Sequence, residues 1–215
     1  TYPLDEREQQ KFVTHTVRRL DKTVAVSVPQ DTDTEPASPQ PLPETRESIK
    51  IQALLASIGA KMGMRLWIPR SDRSAVMSEW KNESYPILDV LPLNYDETTL
   101  KTIEQIDVLW LRGRAIVRAF EVEHTTSIYS GILRMADLLA LQPNMDIKLH
   151  IVAPYERRDK VFQEIRRPVF SLLEKGPLSE SCTFISYDSL RELAQQKHLA
   201  HLSDSVLDEY AEDAE

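Results

Sequence analysis

Apolar residues are densest in the middle of the chain. Two runs, 106–111 and 115–123, are crowded with Val, Ile, Leu, Trp and Phe, and Arg112-Gly113-Arg114 separates them. A short polar turn with a glycine between two such runs predicts a β-hairpin. Neither run alternates between apolar and polar positions, so both faces should be covered and the strands central to a sheet. Ile51, Leu54, Leu55 and Ile58 recur at helical spacing, which predicts a helix over residues 44–62. A strand over 64–68, an irregular stretch over 69–83, an extended segment over 86–93 and a short helix over 97–104 fill the way to the hairpin. Beyond it, Thr125, Thr126 or Ser127 can cap a helix running to about Leu141. Strands over 147–153 and 183–187 follow, with helices over 155–166, 170–173, 189–197 and 203–210.

Three segments emerge. Residues 1–43 read as a helix over 4–20, with Phe12, Val13 and Val17 as a thin apolar stripe, and then a linker rich in Pro, Thr, Ser and Asp. Residues 44–202 should form one α/β domain. Residues 203–215 carry six acids and no base and read as an acidic tail.

Into the apolar hairpin the chain sets three carboxylates. Asp107 precedes Gly113 by six residues, Glu121 follows it by eight, and Glu121 and Glu123, two apart, share a face of their strand. Carboxylates gathered at one end of an apolar hairpin repel one another and lose hydration, which costs several kcal/mol per uncompensated ion. A bound cation, shared protons, or arginines such as Arg118 and Arg134 would offset that cost. A divalent cation held by oxygen ligands is the preferred reading.

Charge changes the picture less than its sum suggests. The formal net charge is −8, but residues 1–43 contribute −2 and 203–215 contribute −6. Residues 44–202 balance 21 acids against 21 bases, which is compatible with binding phosphates. The lone Cys182 excludes an internal disulfide framework and fits a reducing, cytoplasmic setting. No run approaches the ~20 apolar residues that span a bilayer, so no membrane association is expected. The chain opens on Thr1 rather than Met, as a piece of a longer protein would.

The order α-β-β-β-α-β, with Asp107 on the second strand and Glu121-Val-Glu123 on the third, resembles the PD-(D/E)XK, or restriction-endonuclease-like, nuclease superfamily. The stretch from Glu121 through His124, Tyr129 and Gly131 to Asp137 is similar to that superfamily's strand-to-helix signature. Two departures stand out. Glu123 occupies the usual lysine position, and Ile106 replaces the proline before the aspartate. The resemblance implies a central mixed sheet flanked by helices and hydrolysis of phosphodiesters, in DNA more than RNA, with Mg²⁺ or Mn²⁺. It implies that Asp107, Glu121 and the Val122 carbonyl hold the metal, and that Glu123 is a general base or a ligand for a second ion. Glu47, sharing the buried face of the first helix, His124 at the strand end and Arg134 two turns into the following helix are accessory candidates. Each also has a structural reading: a helix-dipole carboxylate, a strand-end histidine, and an ion pair with Asp137. Arg157, Arg158, Lys160, Arg166 and Arg167 form the densest basic group and could track a nucleic-acid backbone, or simply solvate a helix. The expected role is the effector domain of a larger protein or defence system, acting with further domains or as a homodimer. The rival is a module that keeps the fold without catalysis and binds nucleic acid or a protein partner.

Overall fold

In the computed structural model the central hairpin of the sequence is also the centre of the sheet. The structure describes residues 12–19, 22–29, 43–81, 86–123, 128–141, 146–174 and 176–214, with side chains from residue 47 onward. The chain forms two compact units, Thr1–Gln40 and Pro41–Glu215.

The first unit corrects the expected helix over 4–20. Phe12–Arg19 (β1) and Lys22–Pro29 (β2) pair antiparallel, from Phe12↔Pro29 to Arg19↔Lys22. Both runs are rich in β-branched residues, and Val24, Val26 and Val28 alternate with small or polar ones, a period of two that suits a strand.

In the second unit a helix, α1 (Pro43–Lys61), leads into β3 (Arg65–Trp67), α2 (Arg70–Trp80) and α3 (Glu97–Glu104). The hairpin strands β4 (Val108–Arg112) and β5 (Ala115–Val122) follow, then α4 (Ile128–Leu141), β6 (Lys148–Ala153), α5 (Arg158–Ile165), β7 (Cys182–Ser186) and α6 (Tyr187–Ala194). The sheet order is β3-β4-β5-β6-β7. β3, β4 and β5 pair antiparallel, whereas β5, β6 and β7 run parallel and need crossovers, which α4 and α5 supply. The fold is therefore α/β, a mixed sheet flanked by helices, as the element order implies.

Each face of the sheet buries its own core. Leu109, Ala119, Ile151 and Phe184 pack with Ile103 of α3, Ile132 and Met135 of α4, and Phe162 of α5. Val108, Trp110, Phe120 and Val152 pack with Leu55 and Ile58 of α1 and with Leu190 and Leu193 of α6. Covering both faces explains why the strands read as unbroken apolar runs.

Two further expectations are corrected. The stretch expected to be irregular over 69–83 contains α2, in which only Val76 is fully buried; a helix that is polar nearly all round leaves little periodic signal. The segment read as an acidic tail folds back on the domain. A 3-10 helix spans Asp204–Glu209 with Leu207 buried, and Glu212 exchanges both backbone hydrogen bonds with Phe184, at 2.8 and 2.9 Å.

Candidate active site

Residue count alone would mispair the hairpin. Near the turn Arg112 faces Ala115 and Leu111 faces Ile116, a register that would set Asp107 against Phe120. The pairing shifts between Trp110 and Leu111, where Val117 is the extra residue of a β-bulge, and Trp110 then faces Arg118 and Val108 faces Phe120. The ladder ends at Val108↔Phe120, and Asp107, in the bend just before β4, lies beside the Glu121–Val122 end of β5. The bulge therefore builds the site.

Asp107 closes the end of the ladder with its side chain, accepting a hydrogen bond of 2.8 Å from the Val122 N–H. Glu121 is completely buried. The Arg134 guanidinium of α4 grips it at both oxygens, Nε to Oε1 at 2.7 Å and Nη2 to Oε2. Glu123, 7% exposed, is fixed through its backbone: its N–H donates to Val152 O at 2.9 Å, and Tyr187 Oη donates to its carbonyl at 3.2 Å. Its carboxylate accepts from the Gly131 N–H in the first turn of α4. Gly131 has to be glycine for contact this close, because a methyl group there would lie 2.3 Å from Glu123 Oε1.

Burial and mutual repulsion push all three acids toward their protonated forms. Burial raises Asp107 to about 6 against the pull of Val122 and Arg134, with the Asp72 charge adding to the rise. Burial, followed by the Asp107 charge, raises Glu123 to about 7. Glu121 is raised well above the ordinary range by burial, despite Arg134 and with the charges of Asp107 and Glu123 contributing. One guanidinium faces three acids, so negative charge is left uncompensated. Among the described residues no three His, Cys, Asp or Glu side chains already form a cation cage. The all-oxygen donor chemistry and the uncompensated charge nevertheless fit a hard divalent cation.

A cleft of about 490 Å³ opens onto Asp107 and Arg134, and its walls include Arg70, Asp72, Lys101 and Gln105. Sequence reading missed Arg70, Asp72 and Lys101, which α2 and α3 bring to the cleft beside Asp107. Gly131 lies within the strand-to-helix signature, but its role beside Glu123 is visible only in the fold.

The other expected residues have the following partners. Glu47 pairs with Arg191 of α6 and with Lys50, and its charge acts on Tyr187 together with those of Glu123 and Asp107. Arg118 points to the opposite sheet face, where it is 2% exposed and bonded to Asp204, Asp208 and His150. Arg134 pairs with Glu121 rather than Asp137. Within the basic group, Arg158 pairs with Glu212, and Lys160 and Arg167 pair with Glu164. Arg158 and Arg166 line a different groove, of about 830 Å³, and no member of the group lines the cleft at Asp107. His124 lies outside the described residues.

The family model described as the type II restriction enzyme NmeDI C-terminal domain matches residues 27–214. The chain belongs to this NmeDI C-terminal domain family. The curated type II restriction enzyme NmeDI of Neisseria meningitidis serogroup C is 34% identical to it over 139 residues, covering 60% of this chain and 39% of that enzyme. The chain thus spans well under half the length of this relative. No solved structure matches it. In NmeDI-family terms, the matched region takes in the whole carboxylate-bearing sheet and every helix packed on it. No helix among the described residues is long and apolar enough to cross a membrane.

Proposed function

We propose that this domain is a metal-dependent DNA endonuclease of the PD-(D/E)XK type, with Glu-x-Glu in place of Glu-x-Lys, serving a restriction-type enzyme of greater length. The observation that carries this reading is the convergence of Asp107, Glu121 and Glu123 on one end of the central hairpin, with more negative charge than Arg134 can balance. Membership of a type II restriction enzyme family supports DNA as the substrate. Asp107, Glu121 and the Val122 carbonyl would hold Mg²⁺ or Mn²⁺. Bound there, the ion supplies Lewis acidity toward the phosphate and lowers the pKa of water. Glu123, steadied by Gly131 and Tyr187, takes the proton of the attacking water at its carboxylate. Arg70 and Lys101 line the cleft and offer the phosphate positive charge.

The test is to incubate the purified chain with plasmid, single-stranded DNA and RNA, in Mg²⁺, Mn²⁺ or EDTA. Duplex cleavage that needs the metal and falls by at least ~10²-fold in Asp107→Asn is expected. Failure to cut any substrate with any metal, with nucleic-acid binding intact, would favour the non-catalytic binding module.

A further inference from the structure

Arg134 spends both of its contacts on the carboxylate that, on the reading above, should serve the metal. Its Nε reaches Glu121 Oε1 at 2.7 Å and its Nη2 reaches Oε2, so the guanidinium fork takes both oxygens in the bidentate geometry that arginine favours. Glu121 is fully buried and Arg134 keeps 26% of its side chain exposed, so the arginine is the half of the pair free to move. Arg134 also lines the cleft that opens onto Asp107. Three residues earlier on the same helix, Gly131 touches Glu123, so one face of α4 addresses two of the three acids. Opposite the trio, among the described residues, no second cation reaches Glu121 or Asp107 through a hydrogen bond or ion pair.

We propose that Arg134 is a built-in counter-cation, which neutralises Glu121 while no divalent ion is bound and gives way into the cleft when one binds. The inference rests on the metal-dependent reading of the site. It follows from elementary electrostatics: a guanidinium and a divalent ion drawn to the same buried carboxylate repel each other strongly in a poorly solvated setting. The arginine therefore has to leave at least one oxygen. Its flexible stem then carries the charge toward Lys101 and Arg70, where a phosphate would lie. A single side chain thus spares the fold the cost of a bare buried Glu121 and later provides the positive charge that Glu123, in the usual lysine position, cannot. By linkage, ion binding and phosphate binding favour each other through this one residue.

The experiment reads metal affinity without DNA. Mn²⁺ is titrated by calorimetry into the full chain and into Arg134→Gln, Arg134→Lys and Asp107→Asn, with circular dichroism to verify folding. Removing a competing cation should tighten Mn²⁺ binding in Arg134→Gln by about tenfold or more. Lysine, a point charge without the fork, should give a smaller gain. Arg134→Gln should melt at a lower temperature than wild type in EDTA and show a larger rise on adding Mn²⁺. If Arg134→Gln does not fold, Arg134→Lys carries the test, and tighter Mn²⁺ binding than wild type supports the proposal. Unchanged or weaker Mn²⁺ binding in the folded Arg134 variants, with Asp107→Asn still abolishing it, overturns the counter-cation while leaving the metal site standing. Binding in none of the proteins, or binding indifferent to Asp107, overturns the metal-dependent reading and this inference with it.

Discussion

Glu123 shows how much one side chain's surroundings decide. An exposed glutamate would be fully ionised near neutrality, but burial, then the Asp107 charge, lifts this one to about 7, against the pull of the Gly131 N–H. The folded chain therefore holds the proton more tightly than the unfolded chain. The stabilisation this brings is complete below about pH 4.5 and disappears as pH rises through about 7. Asp107, raised to about 6, contributes in the same direction over a lower window. In EDTA the melting temperature of wild type should fall between pH 5 and about 7.5. Glu123→Gln, a mimic of the protonated acid, should flatten that fall by on the order of 2–3 kcal/mol. An equally steep profile in the variant would place the titration elsewhere. The same variant should lose cleavage by ~10²-fold or more if Glu123 takes the proton. The usual lysine at this position is no simple repair, because the Gly131 N–H beside Glu123 is matched to an acceptor.

At the scale of elements, α4 is the working part and β5 its bed. Glycine in a helix interior costs about 1 kcal/mol relative to alanine, so Gly131→Ala would ordinarily stabilise α4. Here the new methyl would meet Glu123 Oε1 at 2.3 Å and Glu121 Cβ at 3.2 Å. The first contact is the far end of a flexible side chain and can turn away. Gly131→Ala should therefore keep a melting temperature within a few degrees of wild type while cleavage drops by at least about tenfold. A parallel loss of fold and activity would show that α4 and β5 cannot separate at all. Loss of neither would mean that the Glu123 carboxylate is not held where it acts.

Across the whole molecule, Asp204 and Asp208 are structural. Arg118 is 2% exposed beneath α6's side of the sheet, and Asp204 and Asp208 each accept from it at 2.8 Å, with His150 beside it at 3.1 Å. His150 is itself held neutral, its pKa driven well down by burial and then by the Arg118 charge. The acids must therefore balance the arginine. Asp204→Ala leaves a buried guanidinium short of one partner and should cost about 3 kcal/mol in urea denaturation at pH 7. Arg118→Met with Asp204→Ala should recover part of that loss. A cost below about 0.5 kcal/mol for Asp204→Ala would mark the segment as a loosely attached tail after all.

The sequence by itself determined the local facts. Unbroken apolar runs marked 106–111 and 115–123 as central strands, helical spacing marked α1, capping Thr and Ser residues marked the start of α4, and the Glu-x-Glu pair had to share a face because a strand's side chains alternate. Such signals are carried by neighbours in the chain, so they survive without the fold. Short elements with one buried residue, such as α2, leave no such pattern. The N-terminal hairpin does leave one, in the alternating valines of β2, whereas Phe12, Val13 and Val17 of β1 mimic a helical stripe. Tertiary structure alone decided the rest. The bulge at Val117 set the register that brings Asp107 to the Glu121–Val122 end of β5, and packing sent Arg134 to the carboxylates and Arg118 to the other face. α2 and α3 carried Arg70, Asp72 and Lys101 to the cleft. Register and facing depend on which distant surfaces bury one another, and a one-residue shift exchanges every side chain between faces. That choice is made only when the sheet and its helices close together.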